Sequence, residues 1–305
     1  MAEQKTRWVL ITGTSTGIGR ALALKLANDG FGVFAGVRRQ EHTDDLSAEF
    51  AKSKSASTST GQLVPLILDV TDPKSIVSAL ENIKPRGLWA LINNAGIVVP
   101  GPVEHLSMEQ WRHQFDVNFF GLIDLTRQTI PLLRQSVATF GVGSPRLLII
   151  SSIGGRVAQP IISAYTASKW ATTALGDSLR LELHRQGIGV TVIEPGAIAT
   201  AIWGKGEKKA SEFGPDHPAR KNYGLELDSV TELSNRTAAK ALAPDKAADV
   251  IVAALTARRA PARVLVGTDA KMAAFFKRWL PTTWFDAILK REFGINNPRA
   301  DAATA

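Results

Sequence analysis

Six short runs rich in Val, Ile and Leu punctuate the first 200 residues of this 305-residue chain. They are WVLIT (8–12), GVFAGV (32–37), LVPLILDV (63–70), LWALIN (88–93), RLLIIS (146–151) and VTVIEP (190–195). None alternates strictly between apolar and polar, the pattern expected of strands buried on both faces. Between the runs lie stretches with helical spacing, such as Leu22 and Leu26, then Leu122, Leu125 and Ile130. Strand and helix in alternation predict an α/β architecture: a doubly wound parallel sheet covered by helices on both faces. A seventh run, ARVLVG (262–267), adds an edge strand.

No repeat or linker divides the chain, so residues 1–305 read as one domain with a core over 7–200. The polar tract KSKSASTST (52–60) reads as a flexible loop. From Gly204 to about Asn235 apolar periodicity fades, and the region near 200–240 reads as a substrate loop, a mobile lid with short helices. An edge strand and amphipathic helices follow over about 262–293 as a C-terminal extension. There is no cysteine, which excludes disulfides and thiolate chemistry, and the five histidines have no metal-ligand spacing. The N-terminus MAEQKTRWVLITG lacks the pattern of a secretory signal, and no apolar run approaches the roughly 20 residues of a membrane span. A cytoplasmic location follows as the expectation. The net charge of +8 suits acidic partners, but Lys and Arg are dispersed, and no nucleic-acid partner is expected.

The stretch TGTSTGIG (12–19) follows the first strand and opens the first helix. Gly13, Gly17 and Gly19 let the backbone approach a pyrophosphate, while Ser15, Thr16 and Ile18 carry the loop into a helix N-terminus that favours anions. This is the context of a Rossmann-type dinucleotide site. The second strand ends at Val37 and continues into Arg38 and Arg39, with no acid to hydrogen-bond a ribose. A guanidinium there suits a 2′-phosphate, so NADP is favoured over NAD, with Arg38 as the main contact and Arg39 as a second.

Tyr165 and Lys169 stand four apart in SAYTASKWA and share a helix face. An ammonium beside a phenol stabilises phenolate and lowers its pKa from about 10, making it usable as an acid and base. Ser152 stands just past the fifth strand, Asn118 lies in the helical region before that strand, and NNAG (93–96) ends the fourth. In an open α/β sheet all of these strand ends lie at the ligand-binding edge.

In this order and spacing, from Trp8 to about Thr200, the chain resembles a short-chain dehydrogenase/reductase. The resemblance rests on the glycine loop, Asp69–Val70, NNAG, Asn118, Ser152, Tyr165-x-x-x-Lys169 and Pro195–Gly196. It implies that Tyr165 exchanges a proton with the substrate oxygen, that Ser152 hydrogen-bonds that oxygen, and that Asn118 holds a water in a proton relay. It also implies that Lys169 binds the nicotinamide ribose and depresses the Tyr165 pKa. Asp69 and Val70 would contact adenine, Asn94 the adenosine side, and Thr200 the carboxamide, with Pro195 and Ile198 beside it. Details such as VFAGVRR and VIEPGAIAT resemble the subgroup of retinol, 17β-hydroxysteroid and 3-hydroxybutyrate dehydrogenases. A lipophilic, retinoid- or steroid-like alcohol or carbonyl is the implied substrate, with a small hydroxy acid or 3-oxoacyl compound as the alternative. A homodimer or homotetramer is the implied assembly. A dinucleotide sensor without catalysis is the competing class, and the complete proton-donor set argues against it.

Near the C-terminus, Met272, Phe275, Phe276 and Trp279 fall on one helical face, and after Pro281 Trp284, Phe285, Ile288 and Leu289 form a second stripe. Lys271, Lys277, Arg278, Lys290 and Arg291 flank them. Apolar stripes ordinarily meet protein, so packing as core, lid or subunit contact is expected, with peripheral contact to a membrane surface as the alternative.

Overall fold

The structure, a computed structural model, describes residues 5–54, 61–200 and 211–295. Its strands are β1 (Trp8–Thr12), β2 (Gly32–Val37), β3 (Gln62–Ile67), β4 (Ala90–Asn93), β5 (Arg146–Ile150), β6 (Gly189–Pro195) and β7 (Arg263–Val266). All seven pair in parallel in the order β3-β2-β1-β4-β5-β6-β7. Each run expected as a strand is one, and β1, β2, β4 and β5 are buried along their whole length.

Alternate strand residues serve opposite layers. Val9 and Ile11 of β1 join Leu22 and Leu26 of α1 (Gly17–Asn28), Leu46 of α2 (Gln40–Lys54) and Ile251 of a later helix. Leu10 points the other way, to Leu80 of α3 (Pro73–Ile83), Leu125 of α5 (Gly121–Phe140) and Leu179 of α6 (Ser163–Glu182). Burying a side chain of this size contributes about 2 kcal/mol, which explains why both faces are covered. Between α3 and α5 comes α4 (Met108–Phe115), started by a capping box of Ser107 and Gln110 and joined to α5 by a π turn over Asp116–Phe120. The strand order reverses between β1 and β4, which opens a ligand crevice at their C-terminal ends.

Three expectations need correction. The strand expected over 63–70 stops at Ile67, because Asp69 accepts from Thr71 N at 2.9 Å and turns the chain. The lid region contains a long helix, α7 (Ala219–Ala239), kinked at Tyr223; residues 201–210 and 55–60 lie outside the described residues. Among the buried residues of α7 are only Ala219 and Leu227, so its sequence carries little apolar rhythm. After α8 (Pro244–Thr256) and β7 come α9 (Thr268–Trp279) and α10 (Thr282–Glu292). There the stripes are not packed into the core of this chain. Ala270 and Ala274 are the buried face of α9, while Met272, Phe275, Phe276 and Trp279 face outward. Small side chains let α9 approach its neighbours closely, and the large ones at i, i+3, i+4 and i+7 are left on the opposite side. In α10, Phe285 is buried but Trp284 and Ile288 are exposed.

Candidate active site

The crevice is organised by Thr12, the last residue of β1. Its hydroxyl accepts from the backbone N–H groups of Asn94 and Ala95, both at 2.9 Å, and so joins the ends of β1 and β4. The Asn94 amide donates to the carbonyls of Thr12 at 2.8 Å and Gly13 at 3.1 Å. Asn94 therefore shapes the glycine loop with its own donors. Thr14 fastens the other side of the loop, donating through its hydroxyl to Gly36 O at 3.0 Å.

The loop fits a dinucleotide. Gly13 and Gly17 have φ of 69° and 61°, a region that side chains with a Cβ disfavour. A Cβ on Gly17 would stand 2.8 Å from Thr200 Cγ2, and one on Gly19 would stand 2.4 Å from Asn94 Nδ2, so substitution would fill the cradle. Thr16 begins α1 without a side-chain cap, leaving first-turn N–H groups and the positive helix end to an anion. Ser15 and Ile18 flank this turn, and Ser15 O accepts from Arg20 at 3.3 Å. Arg38 is exposed and makes no ion pair among the described residues, whereas Arg39 is engaged with Glu41 at 3.1 Å. Asp69 orders its own turn, and Val70 is buried against Gly121, so its side chain belongs to the core. Pro195 ends β6, Ile198 is buried and bridges to Leu242, and Thr200 lies against Gly17.

Ser152, Tyr165 and Lys169 meet where β5 gives way to α6. Ser152 Oγ accepts from Gly154 N at 3.0 Å and shares a hydrogen bond with the Tyr165 phenol. Ser151, its neighbour, fixes α6 by donating to Lys169 O at 3.1 Å and bonding Thr173 Oγ1 at 2.7 Å. Lys169 is 5% exposed; its Nζ donates to Ile150 O at 2.9 Å and lies 5.8 Å from the Tyr165 ring centroid.

These positions set the protonation states. Burial lowers the Lys169 pKa to about 8. Burial raises that of Tyr165, and the Ser152 hydrogen bond opposes the rise only in part. The expected depression of the tyrosine by Lys169 is thus reversed here: the ammonium is turned to a carbonyl, and desolvation of the phenolate dominates. Tyr165 is a neutral phenol at neutral pH, poised to donate.

Asn118 sits in the π turn and is 1% exposed. Its Oδ1 accepts from Ile97 N at 2.8 Å, and its Nδ2 donates to Ile97 O at 3.1 Å and Ser168 Oγ at 3.0 Å. Both N–H donors are committed to protein, and the side chain positions the loop after NNAG against α6. Gln114, which no motif singles out, completes this arrangement. It is fully buried, accepts from Val99 N at 2.7 Å and donates to Ile97 O at 2.9 Å. Beyond the strand ends, Val99, Leu106, Ile161, Ala164, Phe213 and Leu227 form an apolar cluster that reaches Tyr165 through its neighbour Ala164. Among the described residues no group of His, Asp or Glu is arranged to hold a metal ion, and no helix is long and apolar enough to cross a membrane.

The pattern of the short chain dehydrogenase family matches residues 7–211. An NADPH-dependent 3-dehydrocapnine reductase from Ornithobacterium rhinotracheale is 35% identical, over 68% of this chain and 71% of that protein. Estradiol 17-beta-dehydrogenase 2 of Mus musculus is 34% identical, over 93% of this chain and 74% of its own length. A solved short chain dehydrogenase from Burkholderia cenocepacia in complex with NADP superposes with a TM-score of 0.67 at 25% identity, covering 93% of this chain and 98% of that one. The chain belongs to the short-chain dehydrogenase family of nicotinamide-dependent oxidoreductases.

Proposed function

We propose that the chain is an NADP-preferring oxidoreductase for a lipophilic alcohol or carbonyl of retinoid or steroid size. One observation carries this reading: a protonated, half-buried Tyr165 hydrogen-bonded to Ser152, beside Lys169 and an apolar cluster. When bound, the cofactor supplies or accepts the hydride. Tyr165 gives its phenolic proton to the carbonyl oxygen during reduction and takes it back during oxidation. Ser152 donates to the same oxygen and fixes its distance from Tyr165. Lys169, four residues on, would hold the nicotinamide ribose hydroxyls. Asp69, Val70, Pro195, Ile198 and Thr200 flank the cofactor, with Asn94, Asn118 and Gln114 holding the loops that receive it.

Arg38 supports NADP over NAD: it stands just past the end of β2 with no ion pair among the described residues. The apolar cluster beside Tyr165 supports a lipophilic substrate over a small hydroxy acid or a 3-oxoacyl compound. Exposed Phe120, Trp170 and Leu181 on and before α5 and α6 support assembly into a homodimer or homotetramer. A spectrophotometric screen of retinoid and steroid alcohols and ketones, small hydroxy acids and 3-oxoacyl thioesters, each with both cofactors, tests the reading. The expected result is turnover of a lipophilic carbonyl with NADPH. Turnover confined to hydroxy acids, or to NADH, overturns the substrate or cofactor part respectively.

A further inference from the structure

The outward stripe of α9 is unusual for a surface helix. Met272 is 60% exposed, Phe275 59%, Phe276 44% and Trp279 66%, all opposite the buried Ala270 and Ala274. Trp284 and Ile288 of α10 extend it at 65% and 48%, while Phe285 anchors that helix from below. Isolated exposed apolar residues are ordinary, but six on two consecutive helices form a patch that calls for an occupant.

The charges choose the occupant. Lys271, Lys277, Arg278, Lys290 and Arg291 border the stripe, and none forms a salt bridge among the described residues. Lys277 lies over the Phe285 ring at 5.1 Å and Arg278 over that of Trp279 at 5.5 Å, so these cations rest on aromatic faces. Beside the stripe a cleft of about 280 Å³ is lined by Lys271, Arg278, Phe275 and Trp279, with Arg156, already paired with Glu194, at its wall. Three acids occur on the two helices, Asp269, Asp286 and Glu292, and Asp269 is occupied, accepting from Ala197 N at 2.7 Å. Trp and Phe prefer the boundary between headgroups and acyl chains, and unpaired Lys and Arg beside them meet anionic headgroups. We propose that α9 and α10 dock this enzyme on the surface of an anionic bilayer, with the stripe in the interface and the basic cleft against the headgroups. This surface makes no use of the chemistry proposed at Tyr165. Yet α9 packs against the turn that follows Ser152, so docking would place the lipophilic site beside the lipid.

Co-sedimentation of the full chain with phosphatidylglycerol–phosphatidylcholine vesicles, and with phosphatidylcholine vesicles alone, tests this. Binding to the anionic vesicles and quenching of tryptophan emission by brominated lipid are expected. Phe275→Ser/Trp279→Ser and, separately, Lys271→Glu/Arg278→Glu should each weaken binding by at least about tenfold. Both pairs should retain native circular dichroism and unchanged turnover of a water-soluble substrate, which separates loss of docking from loss of folding or of catalysis. Three results overturn the proposal: no sedimentation of the full chain, folded variants that bind like wild type, or a dimer that dissociates when Phe275 and Trp279 are changed. The last would assign the stripe to a second copy.

Discussion

Arg156 grips the buried carboxylate of Glu194 at both oxygens, each at 2.7 Å. Arg263 adds a third contact, at 3.1 Å, and ties the group to Asp177 of α6. The pair thus links the turn after Ser152, the end of β6 and the edge strand β7. Glu194 is fully buried and both arginines are largely covered, so Glu194→Ala would leave Arg156 without a carboxylate, while Arg263 keeps Asp177. A loss of about 3 kcal/mol is expected in urea unfolding, with Glu194→Gln milder because it still accepts hydrogen bonds. A loss below about 0.5 kcal/mol for the alanine variant would show that solvent compensates the arginines.

Tyr165→Phe removes the proton donor while leaving the ring in place. Turnover should fall by at least about a hundredfold, with cofactor affinity nearly unchanged. Because burial raises the Tyr165 pKa, the donating phenol persists through neutral pH. Carbonyl reduction should therefore hold level there, while alcohol oxidation, which needs the phenolate, should climb with pH. Near-normal turnover in the phenylalanine variant removes Tyr165 from the chemistry.

Lys169 carries a buried ammonium that costs the fold stability. Its pKa drops from 10.5 to about 8, so between those values the unfolded chain binds more protons and stability rises with pH. Below pH 8 the ammonium stays buried, which costs on the order of 3 kcal/mol. Without added cofactor, Lys169→Met should be more stable than wild type at pH 7 by about 1–2 kcal/mol, after the bond to Ile150 O is lost. The gap should close by about pH 9–9.5 and reverse above it, and turnover should collapse at every pH. A methionine variant less stable than wild type at pH 7 contradicts this account.

The proposed preference for NADP rests on Arg38. A guanidinium on a 2′-phosphate contributes about 1.5–3 kcal/mol, roughly a ten- to hundredfold preference for NADP. Arg38→Ala should weaken NADP far more than NAD, and Val37→Asp should add repulsion and move preference toward NAD. Measured kcat/KM values that favour NAD in the wild type, unmoved by Arg38→Ala, would leave Arg38 as a solvated charge.

The strands were readable because burial on both faces removes polar alternation, and the glycine loop because its spacing is local. Tyr165 and Lys169 were readable for the same reason, being one helical turn apart. The direction of the tyrosine pKa was not, since it depends on how deeply the phenol lies and where Lys169 Nζ points. Thr12 and Gln114 leave no trace in sequence: each acts on backbone groups brought near by the fold, and any polar residue can look the same in a string. The stripe of α9 was visible as a pattern, but a pattern does not say which side of a helix meets the core. Two alanines decided that.

Gln114 and Asn118 are four apart, and both hold the backbone of Ile97–Val99. The π turn at Asp116–Phe120 accommodates one residue more than an α-helical turn would. Winding the same residues as an uninterrupted α-helix would make α4 and α5 more regular, yet it would rotate α5 by about 100° relative to the clasp. Thr172, which donates to Asn118 O at 3.3 Å, would lose its place, and Leu125 and Leu133 would leave their layer of the core. Local ideality and a working crevice are therefore opposed at this point in the chain. The irregular turn behaves as a phase setter, keeping the loop-holding half of one helix in step with its core-packing half.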